Sequence, residues 1–396
     1  CSCETVVSEM RVSEVELKCM RFFDRTEEIA SLKEILELSK SNAQFTVVTG
    51  RRRIGKTSLV WKAYENEPIL YFFVARKVEN DLCADYLQEI EHKLNIPTMG
   101  KVERFAEIFE YLMKLSIDRP LTLFIDEFQE FFKVNKSVYS DMQRIWDMYH
   151  TKAHINLIVC GSIFSMMTKI FKDKKEPLYN RQTRFMSIKP FTPAVLKEIM
   201  AEYNPDHAAE DLLAIYSFTG GVAKYVQLLI DAGATTKTKM INHIIKADSV
   251  FLGEGKAILI EEFGKDYGVY FSILSAIARG KTSRSEIENY DAVKAMINRD
   301  YETFSGKMLE RYFKRVLIES KAYTRIGSWW DRKGENEIDI VAENELNDEA
   351  VFIEVKRKKE NFDAVALNEK VSVFTRATGK FKGYAISQKG LSMTDM

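Results

Sequence analysis

The chain has 396 residues, 46% of them hydrophobic, which is enough for two or three domains with more than one core. Lys plus Arg and Asp plus Glu number 58 each, so no global field draws the molecule onto nucleic acid or an anionic membrane. No apolar run approaches the roughly 20 residues that a spanning helix needs, and a water-soluble protein is expected.

The cysteines Cys1, Cys3, Cys19, Cys83 and Cys160 are odd in number and lack paired metal spacing, which suits reduced thiols in a cytoplasm. Cys1-x-Cys3 has no second pair to complete a metal site. Residues 1–19 show neither a basic start nor an apolar core, so they read as an extension outside any domain, with Met20 the expected native start. Asp24 is placed to N-cap a helix in which Ile29, Leu32, Ile35, Leu36 and Leu38 recur at helical spacing.

Phe45-Thr-Val-Val-Thr49 is an apolar, β-branched run of strand length. It meets Gly50-Arg51-Arg52-Arg53-Ile54-Gly55-Lys56-Thr57, and Ser58 onward reads as a helix. Strand, Gly-x-x-x-x-Gly-Lys-Thr and helix in that order are the context of a phosphate-binding loop. The two glycines let the backbone curl so that successive N–H groups point inward. Lys56 reaches the β- and γ-phosphates, and Thr57 offers its hydroxyl to Mg²⁺ at a helix N-terminus. Residues 50–58 are therefore the expected nucleotide-binding loop.

Ile69–Val74, Pro120–Ile125 and Ile155–Cys160 are continuous apolar runs, the pattern of parallel strands covered on both faces, and helices from about Glu79 to Lys93 and Glu103 to Leu115 alternate with them. The expected class is α/β, a doubly wound parallel sheet. Asp126-Glu127 closes one of these strands at its carboxyl end, where open α/β sheets bind ligands. Asp126 can hold Mg²⁺ through its water shell, and Glu127 can take a proton from the water attacking the γ-phosphate.

Val47 to Leu59 together with Phe124-Ile-Asp-Glu-Phe-Gln129 resembles the archaeal-type P-loop ATPases, relatives of the AAA+ group, over residues 20 to about 235. The resemblance implies sheet order 5-1-4-3-2, with strand 5 near Arg184 to Ile188, and ATP rather than GTP, since no Asn-Lys-x-Asp guanine signature is evident. It implies a sensor at Ser162 and an arginine near the nucleotide at Arg181 or Arg184. Thr219-Gly-Gly-Val-Ala-Lys224 resembles the family's Gly-Gly-x-Pro helix start with Ala223 in place of Pro, and Lys224 is a weaker second sensor. DNA and a second copy of the chain are open partners, and nothing implies a membrane.

From Val269, a helix, the turn Arg279-Gly-Lys-Thr-Ser-Arg and a helix start at Ser285 read as the front half of a winged helix whose wing is missing. An amphipathic helix from Ser305 then carries Glu310. Two short strands follow, one with Asp339 and one with Glu354-Val-Lys356. Period-two alternation puts Glu354 and Lys356 on one face, able to converge with Asp339. Two carboxylates suit a hard divalent cation and a neighbouring lysine can position the attacking water. The set resembles the PD-(D/E)xK nuclease core, with Glu310 matching its additional acidic ligand, and a domain that only binds is the alternative to an active nuclease. The expected domains are 20–235, an ATPase; 236–300, helical with the truncated winged helix; and 301–396, nuclease-like. The expected function is that of an ATP-binding P-loop ATPase whose nucleotide state is coupled to the nuclease-like domain, acting on or near DNA; a nucleotide-gated switch, a DNA-bound regulator and a partner-binding scaffold are the competing functions.

Overall fold

The computed structural model describes residues 19–96, 100–246, 248–251, 253–254, 290–331 and 334–396, apart from the side chains of 290–293 and 296. The segment read as half a winged helix, from Val269 to the helix start at Ser285, lies outside them, as do Cys1 and Cys3. The first part of the chain runs α1 (Thr26–Ser39), β1 (Gln44–Thr49), α2 (Lys56–Ala63), β2 (Leu70–Phe73), α3 (Glu79–Leu94), α4 (Phe105–Asp118), β3 (Leu121–Asp126), α5 (Phe131–Val134), α6 (Ser137–Tyr149), β4 (Ile155–Gly161), α7 (Phe164–Lys172) and β5 (Arg184–Ser187). All pairings in this sheet are parallel and its order is β2-β3-β4-β1-β5, the expected order met from its other edge.

The three central strands are buried along their whole length, which is why they read as unbroken apolar runs. Alternation then divides them between two cores. Phe45, Val47, Leu123, Ile125, Leu157 and Val159 pack with α3, α4 and α6, whereas Val48, Phe124, Ile158 and Cys160 pack with α1 and α2.

One cap differs from expectation. Asp24 does not cap α1. The N-cap is Arg25, and both residues have left-handed backbone, φ 59° and 72°. The guanidinium of Arg25, 5% exposed, donates to the Lys189 carbonyl at 2.7 Å and lies over the Phe191 ring, a tertiary anchorage that sets the turn in place of a carboxylate cap.

Helices α8 (Pro193–Tyr203), α9 (Ala209–Thr219), α10 (Ala223–Asp231) and α11 (Lys237–Ile244) follow. The chain then gives α12 (Tyr290–Glu319), β6 (Arg325–Trp330), β7 (Glu337–Asn344), β8 (Glu349–Lys356), α13 (Ala364–Thr378) and β9 (Ala385–Ser392). These last strands form a separate mixed sheet, β6-β7-β8-β9, antiparallel except for β8 and β9. One of its faces shares a core with the helices before it: Leu196, Leu213 and Val226 join Leu309, Phe313, Ile340 and Ile353.

Strand β7 carries a bulge. Gly327 pairs with Val341 and Trp329 with Ile338, so Asp339 and Ile340 together oppose Ser328. The extra residue breaks the alternation. Ile338 turns to the core with Phe352 and Phe374, and Ile340 to the core with Ile353 and Phe313. Among the described residues no helix is long and apolar enough to cross a membrane.

Candidate active site

The carboxyl ends of β1, β3 and β4 come together at one edge of the larger sheet. Gly50, φ 152°, has no room for a side chain, since a Cβ there would lie 2.7 Å from the Ile188 carbonyl oxygen, and Gly55, φ 91°, opens α2. Lys56 is the first residue of α2 and only 7% exposed. Its Nζ donates to the carbonyls of Gly50 and Arg51 at 3.0 and 3.1 Å, so the loop closes around its own ammonium.

Thr57 Oγ1 donates to Asp126 Oδ2 at 2.8 Å, and the Tyr71 hydroxyl approaches the same oxygen at 3.4 Å. Asp126 Oδ1 accepts the Glu127 backbone N–H at 2.9 Å. Burial, reinforced by the charge of Asp126, raises the Tyr71 phenol well above its ordinary range and keeps it a donor. Glu127 has left-handed backbone, φ 54°, and its Oε2 accepts from Ser162 Oγ at 2.8 Å and from Gln129 Nε2 at 2.5 Å.

Beside these groups lies a cavity of about 760 Å³. Arg52, Arg53, Ile54, Gly55, Lys56, Thr57, Ser58, Asp126, Glu127 and Ser162 all lie on its wall. Gly50 and Arg51 do not; they contribute the carbonyls that hold Lys56. Lys224 is on the wall, its backbone N–H bonded to the Arg53 carbonyl at 3.1 Å. The donor set fits a nucleoside triphosphate with magnesium: several cations, the half-buried hydroxyl of Thr57, and two acids on adjacent positions.

Not expected from the sequence is the part of the wall made by Met20, Arg21, Phe22, Phe23, Arg25 and Phe191. Its only sequence signal is an aromatic pair just before α1, outside that helix's periodicity. The ion pair between Arg53 and Glu254, 2.8 Å with Glu254 8% exposed, was also missed and ties the loop to the segment beyond α11.

Arg181 does not join the cavity, and neither does Arg184. Arg181 pairs with Asp147 at 3.0 Å and Arg184 with Glu34 at 3.3 Å. The reason is strand direction. Strand β5 begins at Arg184 beside Thr46 and runs parallel to β1, so its start lies toward the end of the sheet away from the loop that follows Thr49.

In the smaller sheet, Glu354 accepts from Lys356 at 2.8 Å and from Lys370 of α13 at 3.0 Å. Asp339, re-aimed by the bulge, accepts the Val355 backbone N–H at 2.7 Å. Burial raises the Asp339 carboxyl above its usual range, and burial together with the charge of Asp339 raises Glu310. Burial also acts to raise Glu354, but its two lysines outweigh that and hold it low. Lys356 feels the fields of Glu354, Asp339 and Glu310, so the four expected residues share one neighbourhood. As arranged, they do not fit a metal ion: Glu354 is neutralised by two ammonium groups, and among the described residues no three His, Cys, Asp or Glu side chains are grouped as a metal would need.

Comparison with known proteins gives two family matches. The model of an ATPase domain predominantly from Archaea matches residues 22–229, and one of archaeal and bacterial proteins of unknown function matches residues 275–370. The uncharacterized protein MJECL04 of Methanocaldococcus jannaschii is 29% identical over 406 residues, covering 85% of this chain and 88% of its own. Among solved structures, the Walker-type ATPase PABY2304 of Pyrococcus abyssi is 21% identical over 67% of this chain and 83% of that one, with a TM-score of 0.51. The ORC2 protein of Aeropyrum pernix, solved as ADPNP and ADP complexes, is 14% identical over 74% and 89%, with a TM-score of 0.44.

Proposed function

Because the chain belongs to the family of ATPase domains found predominantly in Archaea, we propose that it binds ATP in the cavity beside the Gly50–Ser58 loop, hydrolyses it with Glu127 as base, and couples nucleotide state to its C-terminal domain. The observation that carries the reading is the 2.8 Å bond from Thr57 to Asp126, with Glu127, the next residue, anchored by Ser162.

Lys56 spends two of its three N–H donors on loop carbonyls and keeps one for a phosphate oxygen. A magnesium ion bound with the nucleotide neutralises phosphate charge, and Thr57 and Asp126 are the residues that would hold it. Glu127 takes the proton of the water that attacks the γ-phosphorus as the bond to the ADP oxygen breaks. Met20, Phe22, Phe23 and Phe191 offer apolar surface for the base, and Arg52 and Lys224 add positive charge along the phosphates, while Arg53 is paired with Glu254. Arg181 has no part within the same chain.

The route of coupling is α9. At its start Glu210 pairs with Arg357 at 2.7 Å, and Arg357 directly follows Lys356. At its other end comes the turn Gly220-Gly221, then Ala223 and Lys224 on the cavity wall. Gly221, φ 74°, is seated so closely that a Cβ would lie 2.4 Å from the carbonyl oxygen of Phe191, itself on that wall. One short helix thus has an end at each cluster. The functional units in this proposal are 20–235, 236–300 and 301–396.

Calorimetric titration of Mg-ATP into the wild type and Lys56→Ala tests the binding step. Heat from the wild type alone supports it, and no heat from the wild type refutes it.

A second reading, a nucleotide-gated DNA-binding regulator whose nuclease-like C-terminal domain is catalytically inactive, is favoured by the pairing of Glu354 with both Lys356 and Lys370. Linear, circular and single-stranded DNA incubated in Mg²⁺ or Mn²⁺, with and without ATP, discriminates. Cleavage lost in Lys356→Ala supports the nuclease. A mobility shift without cleavage supports a nucleotide-gated DNA-bound regulator.

A further inference from the structure

We infer that Gln129 is a positioning residue for hydrolysis: its buried amide, together with Ser162, fixes one oxygen of Glu127 and leaves the other to take the proton. The inference rests on the assignment of Glu127 as base.

The turn after β3 is built to deliver this amide. Left-handed backbone at Glu127 swings the chain into a single 3₁₀ turn, Phe128–Glu130. The Tyr139 hydroxyl lies 3.3 Å from the carbonyls of both Phe128 and Gln129, and Phe128 and Phe131 are fully buried on either side. Gln129 is 1% exposed, and its Nε2 reaches back to Glu127 Oε2 at 2.5 Å. Ser162 donates to that same oxygen at 2.8 Å, and among the described residues nothing donates to Oε1. Two donors converging on one oxygen restrict the orientation of the carboxylate.

Packing alone is a poor reason for glutamine here. Its Oε1 is buried with no hydrogen-bond partner, a desolvation penalty that a leucine or methionine of similar length would avoid. The reversed amide would set that oxygen against the carboxylate, so the orientation with Nε2 toward Glu127 is the favourable one. Room for the amide also depends on Gly161, where a Cβ would lie 2.5 Å from Gln129 Oε1. Gln129, Gly161 and Ser162 come from two different strand ends and serve one carboxylate.

The test compares Gln129→Leu and Gln129→Met, alone and in the Glu127→Gln background, by steady-state ATP hydrolysis and by affinity for a non-hydrolysable ATP analogue. Retained affinity reports a folded site, and two apolar replacements guard against one failing to fold. The expected result is a fall in kcat of about 10- to 100-fold, analogue affinity unchanged within about twofold, and no further loss in the Glu127→Gln background. Wild-type turnover in Gln129→Leu and Gln129→Met, with Glu127→Gln slow, overturns the inference and leaves the base assignment standing. Equal losses in both backgrounds, or loss of affinity with activity, also overturn it. Wild-type turnover in Glu127→Gln removes the base assignment and the inference with it.

Discussion

Thr57 Oγ1 and Asp126 Oδ2 stand 2.8 Å apart although 69 positions separate them in sequence. The contact joins the start of the helix behind the glycine loop to the end of a buried strand, and it brings together the hydroxyl and the carboxylate proposed to hold a divalent cation beside a triphosphate. Asp126→Asn keeps the shape of the side chain and removes its charge. The affinity for ATP in magnesium is expected to fall by about 10- to 100-fold, while affinity in EDTA changes by less than about twofold. Paired calorimetric titrations check this, and equal losses in both buffers would assign Asp126 a packing role.

Gly50 tests the loop independently of charge. Alanine there would need a backbone shift, because its Cβ would meet the Ile188 carbonyl oxygen at 2.7 Å, and a shifted loop loses the carbonyls that hold Lys56. Gly50→Ala is expected to cost about 1–3 kcal/mol of stability and to weaken ATP binding. Thermal melts with and without ATP measure both effects.

The pair Glu210 and Arg357 tests coupling. Both side chains are partly buried and Arg357 also bonds Ser305 and lies over Tyr301, so a double-alanine cycle is expected to give an interaction energy of about 1–2 kcal/mol. Amide exchange near Lys356 is expected to respond to ATP in the wild type and not in Arg357→Ala. An unchanged response in the variant would exclude α9 as the route.

Glu310 gives a pH signature. Burial, then the charge of Asp339, raises its folded pKa above the ordinary carboxylate value of about 4.3. A group shifted this way favours folding when protonated; the benefit is full below the unfolded pKa and is lost as pH rises through the folded one. Ionised Glu310 is therefore a cost at neutral pH. Glu310→Gln is expected to raise Tm by about 1–2 °C at pH 7 and to leave it unchanged near pH 4, read by calorimetric melts at both values.

The larger sheet and its site were legible because their physics is local in sequence. Val47-Val48 and Leu157-Ile158-Val159 are covered on both faces and so read as unbroken apolar runs, and the family resemblance adds the strand order. The Gly-x-x-x-x-Gly-Lys-Thr pattern of a phosphate-binding loop sets Gly50, Gly55, Lys56 and Thr57 at fixed spacing. Other features depend on directions that spacing does not carry. Arg181 reads as near the nucleotide, but parallel pairing of β5 with β1 puts it at the far end. Asp24 reads as a cap, but the tertiary bonds of Arg25 decide that turn. A single inserted residue re-aims Asp339, and β9, whose first five residues are exposed, shows no apolar alternation at all.

The central claim is tested most directly by single-turnover ATP hydrolysis in Glu127→Gln alongside its affinity for Mg-ATP. The account predicts affinity within about twofold of the wild type and a hydrolysis rate lower by about 100-fold or more. Wild-type turnover in this variant, with ATP bound normally, would contradict it.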